Sequence, residues 1–152
     1  EMCDSDWSSD VCSSDLRDAG MVCLDRDAPR LVPDIRQWMR RGRVLTILPD
    51  IRSRGRGVRV RFLGGTAELE RGTGWLARLE KAPILVAAVT RRPGGRHAWS
   101  LLGTVQPEPS AEREGDIQRV TQEIMDRFDA AIREQPDQYF WYNKKWMIPG
   151  VE

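Results

Sequence analysis

A carboxylate and a group of arginines follow directly after an apolar run in the stretch RVLTILPDIRSRGRG, residues 43–57. Asp50 closes the run, and Arg52, Arg54 and Arg56 follow on a loop that contains glycine. Ligands of open α/β sheets collect at the carboxyl ends of strands, and guanidinium groups bind phosphate oxygens in a forked geometry. The stretch therefore predicts a site for an anionic head group, in which Asp50 orients an arginine or a substrate hydroxyl. The alternative is a solvated basic loop in which Asp50 is only a turn residue.

A second cluster lies near the C-terminus, where PDQYFWYNKKWMIP, residues 136–149, interleaves aromatic rings with lysines. Rings at head-group level and ammonium groups that reach lipid phosphates are typical of a membrane interface. We expect such an interface to be formed by Tyr139, Trp141, Lys144, Lys145 and Trp146. The alternative is that these rings dock the C-terminus onto the core.

Metal and nucleophile chemistry find little support in the sequence. The one histidine, His97, lies on a predicted strand with no acidic residue close after it, so neither a metal cluster nor a catalytic triad can be built around it locally. We interpret it as an ordinary edge-strand histidine. The sequence shows no site built around Cys23, which is expected in the core. The sequence predicts no metal and no cofactor.

The first sixteen residues have a composition unlike the rest. Residues 6–16, DWSSDVCSSDL, resemble the translation of a common short-read sequencing adapter, so we expect residues 1–16 to be a disordered lead outside the fold and the natural chain to start near Arg17. This lead holds five acids and no base; the remainder therefore has 24 basic and 18 acidic side chains, a net charge of +6 against +1 for the whole chain. A basic remainder favours an anionic partner such as phosphate, phospholipid or nucleic acid.

Helical and strand patterns alternate along residues 17–152, and we expect them to form one domain with no repeat or linker. Apolar spacing predicts helices over residues 31–41, 73–81 and 112–135. Buried strands are predicted over 44–48 and 83–90, a half-buried strand over 58–62, and a returning antiparallel strand over 97–105. The fold class is therefore α/β, with a mixed, mostly buried sheet flanked by helices.

From about residue 30 to residue 146 the chain resembles the bacterial lipid A biosynthesis acyltransferases, the lauroyl and myristoyl transferase group. Residues 42–50 are similar to the family's Gly-rich turn, strand and Asp, and GVRVRFLG, residues 57–64, to its strand followed by Phe-Phe-Gly, with Leu63 in place of the second Phe. The family's ending, Pro-x-Gln-aromatic-x-Trp-x-His-Arg-Arg-Trp, is matched with Asn143 for the histidine and lysines for the arginines. Further matches at the family's spacing are Ala67, Gly72, Leu76, Ala77, Ala82 and Pro83.

The resemblance implies a glycerolipid-acyltransferase-like fold and a reaction. A fatty acyl group would pass from acyl carrier protein, or coenzyme A, to a hydroxyl of a phosphorylated glycolipid at the cytoplasmic face of the bacterial inner membrane. Asp50, the loop arginines and Gly64 would then bind substrate. No nucleic acid is expected as a partner.

The family's general base is a histidine followed five residues later by Asp or Glu, and this sequence has no such pair. The fifth residue after His97 is Leu102. Because the family places its histidine upstream of the strand before Asp50, we expect the chain to be the C-terminal part of one acyltransferase domain, truncated at the N-terminus and inactive alone. The alternatives are another glycerolipid or phosphatidylinositol mannoside acyltransferase, a basic nucleic-acid-binding module built on RSRGRGVRVRF, and a noncatalytic lipid-binding protein.

Overall fold

The computed structural model describes residues 16–24, 28–53 and 55–141. The chain divides into two compact units, Glu1–Leu45 and Thr46–Glu152. No helix in the described ranges is both long and apolar enough to cross a bilayer. The elements are α1 Leu31–Arg40, β1 Val58–Phe62, β2 Gly65–Leu69, α2 Gly72–Glu80, β3 Ile84–Arg92, β4 Arg96–Val105 and α3 Arg113–Glu134. This combination of helices and strands confirms the predicted α/β class.

The first unit contains α1, which confirms the helix predicted over residues 31–41. Ile35 is its buried residue. The helix stops at Gly42, whose φ of +75° only glycine adopts without strain and whose amide donates to the Met39 carbonyl at 2.9 Å.

The second unit begins its regular structure with the hairpin of β1 and β2. Val58, Val60 and Phe62 are buried and the two arginines between them are exposed, as the alternation predicts. The turn is Leu63-Gly64, with φ of +50° and +85°, and two positive φ values in a two-residue loop match the twist of a hairpin. Strand β2 was not predicted from the sequence, because GTAEL is poor in the residues that favour strands.

Both edges of this hairpin are paired. Gln118 and Gln122 of α3 bond to the backbone of Arg59 and Arg61, which lie on the outer edge of β1. On the other side, the Ser53 amide donates to the Glu68 carbonyl at 2.9 Å. Exposed strand edges invite uncontrolled pairing, so these contacts close the small sheet from both sides.

The hairpin of β3 and β4 forms a second antiparallel sheet, which confirms the predicted returning strand. Helix α3 packs against β1, β3, β4 and α2 and gathers the core between them. A two-stranded hairpin is marginal by itself in water, so α3 is what makes these elements cooperative. The core residues are Val58, Val60, Phe62, Ala67, Leu69, Val86, Val105, Ile117, Val120, Ile124, Met125 and Ile132.

Two of the strand predictions are wrong in detail. Residues 44–48 form no strand, and Val44 and Leu48 are 90% and 68% exposed. A buried strand needs neighbours on its edges and layers on its faces, and no described residue pairs with this run. The strand predicted over residues 83–90 does form, but β3 belongs to a two-stranded sheet with one open face, so only Val86 is fully buried.

A buried ion-pair network joins α2, α3 and the loop between β4 and α3. The Asp116 side chain has no exposed surface, and its carboxylate accepts from Arg78 at 2.9 Å and from Arg119 at 2.6 Å. Arg78 also donates to the carbonyls of Glu108, Pro109 and Ala111. Burial by itself raises the pKa of Asp116, but the hydrogen bonds from the two arginines outweigh it and the pKa lies below the ordinary value of 3.8.

We predict that Asp116→Ala lowers the free energy of unfolding by about 3 kcal/mol, because it leaves the guanidinium of Arg78, whose side chain is only 15% exposed, without its counter-charge. Urea unfolding at neutral pH measures this. Since the folded pKa of Asp116 is lowered, the stabilisation is present above pH 3.8 and is lost as the pH falls below it, so the difference between the two proteins should shrink in acid.

Glu123→Ala is the matched control, because Glu123 pairs with the same Arg119 at 2.6 Å but its side chain is 36% exposed. It should cost less than about 1 kcal/mol. An equal loss in both variants would show that burial of Asp116 does not decide the energy.

Candidate functional site

Asp50 is a partly buried carboxylate whose side-chain hydrogen-bond partner, among the described residues, is a tyrosine. The Tyr139 hydroxyl donates to Oδ2 of Asp50 at 3.3 Å. Burial raises the pKa of Asp50 above the ordinary 3.8, and a backbone hydrogen bond and the Tyr139 hydroxyl oppose this only in part. No described cation forms an ion pair with Asp50, so its negative charge is not compensated in the way that Asp116 is.

Tyr139 connects two segments that the sequence analysis treated separately. Its ring meets Phe62 edge to face with 6.3 Å between centroids and meets Trp141 in the same way at 5.1 Å. Burial raises the pKa of the Tyr139 phenol strongly, and the charge of Asp50 adds to the rise. The start of the aromatic tail therefore docks on the core beside Asp50, which is the alternative that the sequence left open for these rings.

The remaining tail residues have different positions. Trp141 is about half exposed and donates its indole N–H to the Pro136 carbonyl at 2.7 Å. Lys144, Lys145 and Trp146 lie outside the described residues, so their predicted role at a membrane interface stays a prediction.

The loop arginines do not gather around Asp50. Arg52 is exposed and pairs through its backbone with Leu69, so the residues after Asp50 run along the edge of β2 that does not face β1. Arg56 lies 3.7 Å from the Glu114 carboxylate, at the N-terminal turn of α3. Arg54 lies outside the described residues.

Glu114 is contacted by three arginines. Arg71 donates to both of its oxygens at 2.8 and 2.9 Å, while Arg56 lies 3.7 Å and Arg113 3.9 Å from the carboxylate. One carboxylate against three guanidinium groups leaves two positive charges, and we call Arg56, Arg71, Arg113 and Glu114 the arginine cluster. Arg113 and Glu114 are 61% and 48% exposed at their side chains, so the cluster is open to solvent.

Sequence reasoning missed Arg71 and Arg113 because their relation to Arg56 is made by the fold. Arg71 caps the start of α2, and Arg113 is the first residue of α3. The one signal in the sequence is that Arg71 immediately precedes Gly72, where a helix begins.

Gly57 fixes the loop that carries Arg56. Its amide donates to Glu68 Oε1 at 3.2 Å, and a Cβ atom there would lie 2.6 Å from Glu68 Cγ and 2.7 Å from Ser53 Cβ. Only glycine permits this approach, so the loop is held against β2 just before the chain enters β1.

Gly64 does not join these arginines. It lies at the turn after β1, whereas Arg56 precedes β1, and the five-residue strand between them spans about 16 Å. A cleft of about 340 Å³ beside Gly64 is lined by two aspartates, Asp126 and Asp129. The Leu63 amide and the Arg133 guanidinium already bond to Asp129.

His97 lies on β4, exposed and opposite Arg91. Within the part of the chain that the structure describes, no three His, Cys, Asp or Glu side chains are grouped as metal ligands would be.

Comparison with models of protein families finds a match for this chain. The family model described as bacterial lipid A biosynthesis acyltransferase matches residues 22–147, which include every helix and strand of the structure from α1 to α3. No curated protein matches the chain.

We predict that Asp50→Asn removes a contribution to stability that decreases as the pH rises above 3.8, and leaves the protein at least as stable as the wild type at neutral pH. The reason is the sign of the shift: a carboxylate whose folded pKa is raised binds its proton more tightly when folded, so its ionisation costs stability as the pH rises above 3.8. Urea unfolding at several pH values measures the slope.

Tyr139→Phe is the opposing variant, because it removes the hydroxyl that lowers the pKa of Asp50 and keeps the carboxylate. Its stability should fall more steeply with pH than that of the wild type. If both variants show the wild-type slope, Asp50 is not the group that titrates.

Proposed function

The chain belongs to the bacterial lipid A biosynthesis acyltransferase family, and we propose that its second unit holds the phosphorylated acceptor of an acyl transfer. In this proposal a fatty acyl group passes from acyl carrier protein, or coenzyme A, to a hydroxyl of a phosphorylated glycolipid. The reaction takes place at the cytoplasmic face of the inner membrane, where such an acceptor is exposed to a water-soluble donor.

The arginine cluster is the observation that carries this proposal. Guanidinium groups bind phosphate through charge-assisted hydrogen bonds, the kind of bond by which Nη2 of Arg71 holds both oxygens of the Glu114 carboxylate. Arg56 and Arg113 lie at 3.7 and 3.9 Å, beyond direct hydrogen-bond distance, so they retain donors for a second anion. A phosphate dianion would match the net charge of +2 that these four residues carry.

Arg52 extends this basic surface along the edge of β2. It is exposed, and its segment is fixed by the hydrogen bonds of Ser53 and Glu70 across that edge. The acceptor phosphate would then meet side chains on a rigid strand edge and on two helix starts, and a rigid support lowers the entropy cost of binding. In this proposal Asp50, which is partly buried beside Tyr139, accepts a hydrogen bond from an acceptor hydroxyl.

The chemical step needs a group that this chain does not supply. As the acceptor oxygen attacks the thioester carbonyl, its hydroxyl proton must pass to a base, and the thiol of the donor leaves with a proton. A histidine oriented by a carboxylate suits this role, but the only histidine here is His97, and Leu102 is the fifth residue after it. We therefore propose that these 152 residues bind acceptor without turning it over.

We predict no acyl transfer above background when the purified chain is incubated with acyl-acyl carrier protein and a phosphorylated lipid A precursor. The measurement is conversion of labelled acceptor on a thin-layer plate. A family member that contains the His-x4-acid pair serves as the positive control. Turnover by the 152-residue chain would refute the assignment of the base.

We predict that Arg71→Gln weakens binding of inorganic phosphate about tenfold, because a charge-assisted hydrogen bond contributes about 1.5 kcal/mol or more. Glu114→Gln should strengthen it, since the carboxylate competes with phosphate for the same guanidinium groups. Amide chemical shifts, followed during titration at constant ionic strength, measure both affinities.

Arg41→Gln is the control, because Arg41 is an exposed arginine of the first unit. It should bind phosphate as the wild type does. Equal affinities for the wild type and the Arg71 and Glu114 variants would remove the cluster from the proposal and leave the family membership untouched.

A further inference from the structure

The outward face of the β3–β4 hairpin is apolar and exposed. Leu85 and Val89 are each 61% exposed, Trp99 is 62% and Leu101 is 52% exposed. Val89 lies directly opposite Trp99, and Ala87 lies opposite Leu101, so these side chains share one face in adjacent pairs. We call Leu85, Val89, Trp99 and Leu101 the hairpin face.

The opposite face of the same hairpin is the one that the core uses. Val86 and Val105 are 2% and 1% exposed and pack in the cluster under α3. No described element covers the hairpin face, although it presents apolar side chains larger than most of those buried on the other side. Contiguous exposed apolar surface of this kind marks an interaction site.

The charge of the hairpin is of one sign. Arg91, Arg92 and Arg96 flank the turn Pro93–Gly95 at its tip and are exposed. From residue 82 to residue 107 the sequence contains no Asp or Glu, so no acid on the hairpin balances these three charges.

We propose that the hairpin face docks on an anionic lipid bilayer, with Trp99 and its neighbours at head-group depth and the tip arginines on the lipid phosphates. An apolar strip beside uncompensated arginines suits a surface that is apolar inside and negative outside. The proposal rests on the proposed acceptor, a membrane lipid, and adds the surface by which the protein reaches it.

The contacts of the C-terminal tail are consistent with docking through the hairpin face. The Gln138 side chain accepts a hydrogen bond from the Arg91 amide at 3.0 Å, so the tail passes β3 close to the tip. Phe140 and Trp141, which come two and three residues after Gln138, are 60% and 51% exposed. Aromatic residues with one exposed side are typical of the interfacial layer of a bilayer.

Other occupants fit less well. A second copy of this chain would bring three more arginines and no hairpin acid to pair with them. Nucleic acid would match the arginines but would gain nothing from Leu85 and Leu101, which lie on the apolar strip and have no base-stacking ring.

Co-sedimentation of the full chain with phosphatidylglycerol vesicles and with phosphatidylcholine vesicles tests the proposal. The wild type should bind the anionic vesicles and lose affinity as salt rises. The double variant Trp99→Ser, Leu101→Ser should bind at least about tenfold more weakly, and Arg92→Gln about fivefold more weakly, since one arginine near an anionic surface is worth about 1 kcal/mol.

Val44→Ser is the matched control, because Val44 is an apolar residue of the first unit that is 90% exposed. It should leave vesicle binding unchanged. The substituted residues are exposed, and circular dichroism of each variant checks that its fold is retained.

The proposal is overturned if the Trp99, Leu101 double variant binds vesicles as tightly as the wild type. It is also overturned if Val44→Ser weakens vesicle binding as much as the double variant does. A third contrary result is that the wild type forms a dimer, which the double variant dissociates, and that neither protein binds vesicles. Phosphate titration of the same variant separates this failure from that of the proposed function. If vesicle binding fails and phosphate binding through Arg71 persists, only the docking surface is wrong.

Discussion

The first turn of α3 supports both the stability and the candidate site of the second unit. Asp116 points inward, where Arg78 and Arg119 neutralise it and Arg78 ties the loop before the helix to α2. Glu114, two residues earlier, points outward and holds Arg56, Arg71 and Arg113. Residues two apart on a helix face different directions, so one turn can anchor the core and assemble a solvent-exposed cluster. Further along α3, Gln118 and Gln122 close the edge of β1.

The carboxylates of Asp116 and Asp50 have pKa values that are shifted in opposite directions. Asp116 has no exposed side-chain surface and yet has a lowered pKa, because its hydrogen bonds with two guanidinium groups outweigh the effect of its desolvation. Asp50 is less enclosed and has a raised pKa, because a tyrosine hydroxyl is a weaker partner than a cation. A buried charge whose desolvation is not offset by ion pairs or hydrogen bonds lowers stability, and such groups are found at functional sites more often than at structural ones. This contrast supports a role for Asp50 in binding.

Much of the fold follows from local patterns. The alternation of Val58, Val60 and Phe62 predicts β1, and the apolar stripe from Ile117 to Ile132 predicts α3, since both patterns encode burial on one face. Residues 44–48 mislead because an apolar run records only that burial is favourable, and the described residues provide no neighbouring strand to bury it. The Asp50–Tyr139 contact and the arginine cluster join residues far apart in sequence, which no local period encodes. The resemblance to the family located Asp50 and the tail, but not Arg71 or Arg113.

The arginine cluster and the arginines of the hairpin tip are built for different tasks. Arg71 is 26% exposed and is fixed by two hydrogen bonds to one carboxylate, so in our proposal the cluster selects an anion by geometry. The tip arginines lie on an exposed turn that holds no acid, and in the proposed docking they would act through summed charge, which salt screens over about 8 Å at physiological ionic strength. A protein that modifies a lipid head group needs both properties, because it must stay at a surface while it distinguishes one phosphate among many. A geometric site on a supported strand edge and a diffuse charge beside an apolar face meet these needs separately, so either can change without loss of the other.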